Sequence, residues 1–212
     1  MNRAMKMQWI TIARWTSQPF NPADIIRKHL PIVVFLIAAT ILLFGWVLNI
    51  PFFRGGVDSA NIKVTTTLFF LTSSSIFIAK YYKCRLAEWI LWFYHIFWLT
   101  MLTVMPFIST FINTLFQDSS KFSLAPQVAS PASMTCFWLI TIGSVIKPTF
   151  LKHRYISKIC GGGVLSMAVS AIIGHLIGNP ALYFYSITTT GMSYPTALLF
   201  VPLAFTLIEI KS

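Results

Sequence analysis

Six apolar segments, each close to the length of a bilayer crossing, constrain this chain more than any motif does. They run from about Leu30 to Ile50, Ile62 to Tyr82, Leu86 to Ile108, Pro131 to Lys147, Ile159 to Gly178, and Met192 to Ile210. A membrane helix needs ~20 predominantly apolar residues, and the 212 residues leave little over for anything else. Charged residues make up 10% of the chain, whereas a soluble domain carries about 25%. That balance excludes a compact soluble enzyme, a secreted disulfide scaffold and a disordered tail. The expected fold is all-α and integral to the membrane, a six-helix transmembrane bundle over residues 30–212. Pro131 and Pro195 suit the first turn of the fourth and sixth helices, where the missing amide has no helical partner anyway. Pro202 falls inside the sixth and is expected to kink it. Residues 1–29 are too polar for a seventh span. With Trp9, Ile10, Ile12 and Trp15 beside Arg3, Lys6 and Arg14, they read as a cytoplasmic amphipathic arm on the membrane surface.

Lysine and arginine set the orientation, because basic flanks are retained on the cytoplasmic side. Of the 16 such residues, 13 lie in the N-terminal arm, the second and fourth connections and the C-terminus. Only Arg54, Lys63 and Lys121 fall in the alternate connections. Both termini are therefore expected in the cytoplasm, which requires an even number of spans. The net charge of +11 then reads as a topology signal, with some attraction to anionic headgroups, and nucleic acid is not expected as a partner.

The helix entries repeat. Ile62-Lys63-Val64-Thr65-Thr66-Thr67-Leu68-Phe69-Phe70, Val128-Ala129-Ser130-Pro131-Ala132-Ser133-Met134-Thr135-Cys136 and Met192-Ser193-Tyr194-Pro195-Thr196-Ala197-Leu198-Leu199-Phe200 align, with starts 66 and 64 residues apart. Asn49, Asn113 and Asn179 each open a short segment upstream of one entry. Such a period matches one helical hairpin, so the expected bundle consists of three repeated hairpins at about 30–82, 86–147 and 159–210. Hydroxyls at each entry cap the helix, and small residues such as Ala132, Ser133 and Ala197 let helices approach.

The third unit, Gly174-His175-Leu176-Ile177-Gly178-Asn179-Pro180-Ala181-Leu182-Tyr183 followed by Met192 to Phe200, resembles the last unit of the multi-pass N-terminal input regions of bacterial sensor histidine kinases and diguanylate cyclases. There a Gly-Tyr-x-x-Gly-x-x-x-Leu-Tyr segment leads into Met-x-x-x-Thr-Ala-Leu-x-Phe, and the hairpin recurs three times. Gly45-Trp46 with Lys63, Thr66 and Leu68 is similar to the family's opening unit, and the likeness spans residues 30 to 210. His175 stands in place of the usual Tyr, Val64 in place of a Pro, and the second unit carries Ala132 and Met134 at the Thr and Leu positions. The resemblance implies a sensor of the bacterial inner membrane, crossing it several times and passing a stimulus to a cytoplasmic output domain or partner protein. The family's PAS, kinase or cyclase segments are missing here, so that output is expected from a longer chain or a separate protein. A small apolar ligand and a second copy of the chain complete the partners that such a module would have.

Chemistry-bearing residues are sparse. His95 lies near the middle of the third segment among Trp92, Tyr94 and Trp98, and an ionisable group at membrane depth is costly to keep there. Two readings stand side by side: a ligand-binding, metal-coordinating or pH-responsive imidazole, and a neutral imidazole bonded to a hydroxyl of a facing helix. His175 lies near the outer end of the fifth segment, and His29 and His153 at the cytoplasmic edge. Glu88 is expected to pair with Arg85 or Lys83, and Glu209 with Lys211 or water. Asp58 and Asp118 are too isolated for paired-carboxylate work. Gly161-Gly162-Gly163 lacks the surroundings of a phosphate loop and reads as a site of close helix contact. Cys84, Cys136 and Cys160 are expected as small buried residues. No nucleophile has a neighbouring base and no metal-ligand pair is spaced along a helix, so neither enzyme activity nor a metal or cofactor is expected. Repeat position and polarity single out Trp46, Asn49, Thr66, His95, His175, Asn179, Tyr183 and Thr196 as ligand contacts, and Pro202 as the point of signal transmission. The competing readings are a small-molecule or ion transporter or channel and a membrane scaffold subunit.

Overall fold

The computed structural model describes residues 22–54, 62–116, 129–145, 153–183 and 191–209. The amphipathic arm before Pro22, Asp58, Asp118, Lys121, Lys147, Lys152, Tyr185 and Lys211 lie outside them, as do the side chains of Asn113, His153 and Arg154. Among the described residues every regular element is helical and none is a strand. In chain order they are α1 (Pro22–Thr40), continued by a π-helical stretch (Ile41–Val47), α2 (Pro51–Arg54), α3 (Val64–Tyr81), α4 (Arg85–Phe116), α5 (Pro131–Val145), α6 (His153–Ile177), a 3₁₀ turn (Pro180–Leu182) and α7 (Tyr194–Ile208).

Three of these runs are long and apolar enough to cross a membrane: Pro22–Val47, Arg85–Val104 and Tyr155–Ile177. The chain is thus a helical membrane protein. α5 and α7, at 15 residues each, are ~22 Å long at 1.5 Å per residue, short of the ~30 Å hydrocarbon core. Both are packed on several sides. The first helix begins at Pro22 rather than Leu30. Pro22 fits a first turn, and Asp24 complements the positive end of the helix.

One face of α3, α5 and α7 is buried in matching steps. Thr66, Phe70, Ser73 and Phe77 are buried in α3; Ser133, Phe137, Ile140 and Ser144 in α5; and Thr196, Phe200, Leu203 and Leu207 in α7. The rings of Phe70, Phe137 and Phe200 meet at the centre, with centroids 5.1, 4.7 and 4.9 Å apart. α6 packs most extensively against α7, and also against α5; α1 packs against α3 and α7; α4 rests mainly on α3 and touches α5 little. Large apolar residues point outward from the long helices, among them Leu36, Val47, Trp89, Phe93, Ile159 and Leu176, whereas the buried polar residues are mostly Ser and Thr. Several of these hydroxyls bond back to the preceding turn, as Ser74 does to Phe70 O (2.6 Å), Thr141 to Phe137 O (2.7 Å) and Ser144 to Ile140 O (2.6 Å), and Ser157 reaches across to Gly143 O (2.6 Å). Small hydroxylated seams with bulky residues outside are how helices associate in lipid, where no hydrophobic force draws them together.

Gly161 allows one of the closest approaches. A Cβ there would sit 2.6 Å from Ile208 Cγ1 and 3.1 Å from Ala204 O of α7, while one on Gly163 would meet Leu139 of α5, and one on Gly162 would meet nothing. The glycine run is therefore a helix contact, on two of its three members. Cys136 and Cys160 are buried, but Cys84 is exposed, because it lies in the tight link between α3 and α4 where Lys83 has a positive φ of 58°.

Hydrogen bonds define the two ends. Arg27 of α1 bonds to Glu209 O beyond α7, and Lys80 Nζ at the end of α3 donates to Ser144 O of α5 (3.0 Å). At the other end the loops after α2 and after the 3₁₀ turn close alike: Ile62 N–H donates to Arg54 O (2.9 Å) and Met192 N–H to Tyr183 O (3.0 Å).

Candidate functional site

The residues singled out from the sequence fall into three places. Trp46, Asn49, His175, Asn179 and Tyr183 stand at the loop end. Trp46 lies in the π-helical stretch with the Arg54 guanidinium 5.1 Å over its ring, and Asn49 takes a positive φ of 54° where that helix ends, a conformation Asn tolerates better than most residues. His175 and Tyr183 stack at 4.0 Å, and His175 Nε2 is 2.8 Å from Met192 O. Asn179 Oδ1 accepts from Ala181 N–H (3.1 Å), capping the 3₁₀ turn. His175 and Asn179 thus serve the loop structure, while Trp46 Nε1 is buried without a partner among the described residues.

Thr66 and Thr196 are buried at helix entries. Ser193 Oγ accepts from Thr196 N–H (3.4 Å) and its hydroxyl lies 2.7 Å from that of Thr196. Ser130 and Ser133 of α5 repeat the arrangement at 3.2 and 2.9 Å. These are caps that satisfy first-turn amides of α5 and α7, whereas the entry of α3 at Lys63 has no side-chain cap, contrary to the expectation of a hydroxyl cap at each entry. Ser130, not Ala129, thus stands where Ser193 does, one residue from the alignment of the sequences.

His95 is the third place and stands apart from the other candidates. Its ring is 1% exposed, held edge-on by Phe69 (5.3 Å), Trp92 (6.0 Å) and Phe137 (6.3 Å). Nδ1 lies 2.8 Å from Thr72 Oγ1 of α3, the facing hydroxyl that the second reading of this residue required. Nε2 is buried and has no partner among the described residues. A cavity of ≈ 130 Å³ lies beside it between α3 and α4, walled by Thr65, Leu68, Phe69 and Thr72 of α3 and by Tyr94, Trp98 and Leu102 of α4. Leu68, Tyr94 and Trp98 are partly exposed, so the cavity opens sideways on the apolar flank.

Thr72, Phe69, Leu68 and Tyr94 were not singled out from the sequence. The available signal was spacing: Thr65, Leu68, Phe69 and Thr72 share one face of α3, and Tyr94, His95, Trp98 and Leu102 one face of α4. Among the described residues no three His, Cys, Asp or Glu side chains converge as a metal site. Fold and pocket together define a helical membrane protein with a lateral apolar cavity and a fixed imidazole in its wall. No family model, curated protein or solved structure matches this chain.

Proposed function

We propose that this chain is a sensory input module of the bacterial inner membrane: a six-helix bundle of three repeated hairpins, both termini cytoplasmic, passing a stimulus to a kinase or cyclase output. The triplication is supported by the matching burial of α3, α5 and α7, by the paired caps at Ser130 and Ser193, and by the like closure of the loops at Arg54 and Tyr183. The orientation rests on the basic residues, since Lys80, Lys83, Arg85 and Lys158 sit at the end that holds Arg27 and Glu209.

The observation that carries sensing over transport is the trio of phenylalanine rings. Phe70, Phe137 and Phe200 are each 0% exposed and fill the middle of the helix cluster, where a conduit would run. The buried polar residues described are hydroxyls and His95, none of them an acidic or basic chain of the kind that marks ion paths. A module that binds in a side pocket and changes helix packing fits this arrangement, provided that its ligand favours one packing over another. α7 is the conducting element, with Pro202 in its interior.

A chimera with a diguanylate cyclase after Ser212 tests this. Inserting one, two, three or four residues after Ile210 turns the output by about 100° per residue, and cyclic dinucleotide production should vary with helical period. Output indifferent to all four insertions overturns the reading, as does ion or solute flux through proteoliposomes.

A further inference from the structure

We infer that the cavity beside His95 binds a small apolar molecule carrying one hydroxyl donor, of about the size of phenol, and that the hydroxyl donates to His95 Nε2. The protons can be placed by elimination. Thr72 Oγ1 lies 3.1 Å from Phe69 O and 2.8 Å from His95 Nδ1. A threonine hydroxyl has one proton and a carbonyl only accepts, so both contacts are hydrogen bonds in one arrangement alone, with that proton on Phe69 O. His95 Nδ1 must then carry the ring proton and donate to Thr72. Nε2 is left as a bare acceptor, buried and unpaired among the described residues.

An acceptor in that position costs free energy unless a donor reaches it. No wall residue supplies it: Leu68, Phe69 and Leu102 are hydrocarbon, the donors of Thr65, Tyr94 and Trp98 do not reach Nε2, and the opening faces the flank that the lipid would cover. Three aromatic edges fix the imidazole, so little ordering is needed on binding. At ≈ 130 Å³ the space resembles the cavity of about 150 Å³ that takes up benzene in another protein. An aromatic alcohol fills it with its ring and pairs Nε2 with its hydroxyl; a longer tail would extend through the side opening into the acyl chains. As the site of the stimulus, the pocket rests on the sensory reading; as a binding site it does not.

The test uses phenol and toluene, alike in shape but not in donor, added to the full chain in lipid nanodiscs with ¹⁵N-labelled histidine. Phenol should move the unprotonated ring-nitrogen signal of His95 and bind about three- to tenfold tighter than toluene after correction for partitioning, as one neutral hydrogen bond implies. His95→Phe should abolish the preference. Thr72→Val, which frees Nδ1 and removes the reason for the tautomer, should weaken it while leaving the ring in place. Equal binding of the two probes, binding of neither, a preference that survives His95→Phe, or an Nε2 that carries the proton or is held by water without responding to phenol overturns the inference. Phenol binding that leaves the cyclase chimera unchanged retains the site and removes the sensory reading. Phase-dependent output without phenol binding does the reverse.

Discussion

Arg27, one turn into α1, donates from its guanidinium to the backbone carbonyl of Glu209, the residue that ends α7. First and last helices are tied at one point, and the acceptor is one of the carbonyls that a helix C-terminus leaves without a partner. A cation there also meets the negative end of α7.

Arg27→Ala should therefore fray the end of α7 and lower stability by about 1–2 kcal/mol, within the range of hydrogen bonds from charged donors. Thermal unfolding in detergent measures this, and Arg27→Lys should recover part of it. In the cyclase chimera, Arg27→Ala should also blunt the dependence on helical phase, because the segment being turned is no longer anchored.

Truncating one ring of the central trio removes contacts to the other two. Phe200→Ala is expected to cost about 3 kcal/mol, mostly as an unfilled void, and Phe200→Leu much less. Since Phe70 and Phe137 share the same space, a second truncation should cost less than the first. Additive losses across the double mutant would separate the rings into independent contacts.

The glycine run offers a paired comparison within one helix. Gly161→Ala drives a methyl into Ile208 and the Ala204 carbonyl and should destabilise by about 1–3 kcal/mol. Gly162→Ala meets open space and should stabilise by up to about 1 kcal/mol through helix propensity. Opposite shifts in unfolding temperature are expected from substitutions one residue apart.

Cysteine reactivity tests both burial and orientation. Cys84 is exposed whereas Cys136 and Cys160 are buried, so a maleimide should modify Cys84 in the folded protein and the other two only after unfolding. With a membrane-impermeant reagent, Cys84 should label in inverted vesicles and not in intact cells. Labelling from outside intact cells would reverse the assigned topology.

The helices themselves were legible in hydropathy, and the starts of α5 and α7 in Pro131, Ser193 and Pro195. The beginning of α1 was not, because Asp24, Arg27, Lys28 and His29 lower the local hydropathy while leaving helix formation intact. Nor was the π-helical stretch at Ile41–Val47, which no residue signature marks; Gly45 within it lies so close to Arg54 that a Cβ would meet Arg54 Cγ at 2.9 Å. His95 was visible as a polar residue in an apolar segment, but its partner Thr72 was not. That pair spans two helices and depends on their relative rotation, which periodicity within either helix does not report. Cys84 was misjudged because residue type says nothing of a sharp link with a positive φ beside it.

Where Phe70, Phe137 and Phe200 converge, α3, α5 and α7 each supply one ring of three, one from each of the proposed hairpins. No single hairpin owns a core, and one expressed alone would present a bare aromatic stripe and a row of hydroxyls to the lipid. If the triplication holds, its most favourable arrangement would be a ring of three identical molecules, reproducing between separate chains the symmetry proposed for this polypeptide.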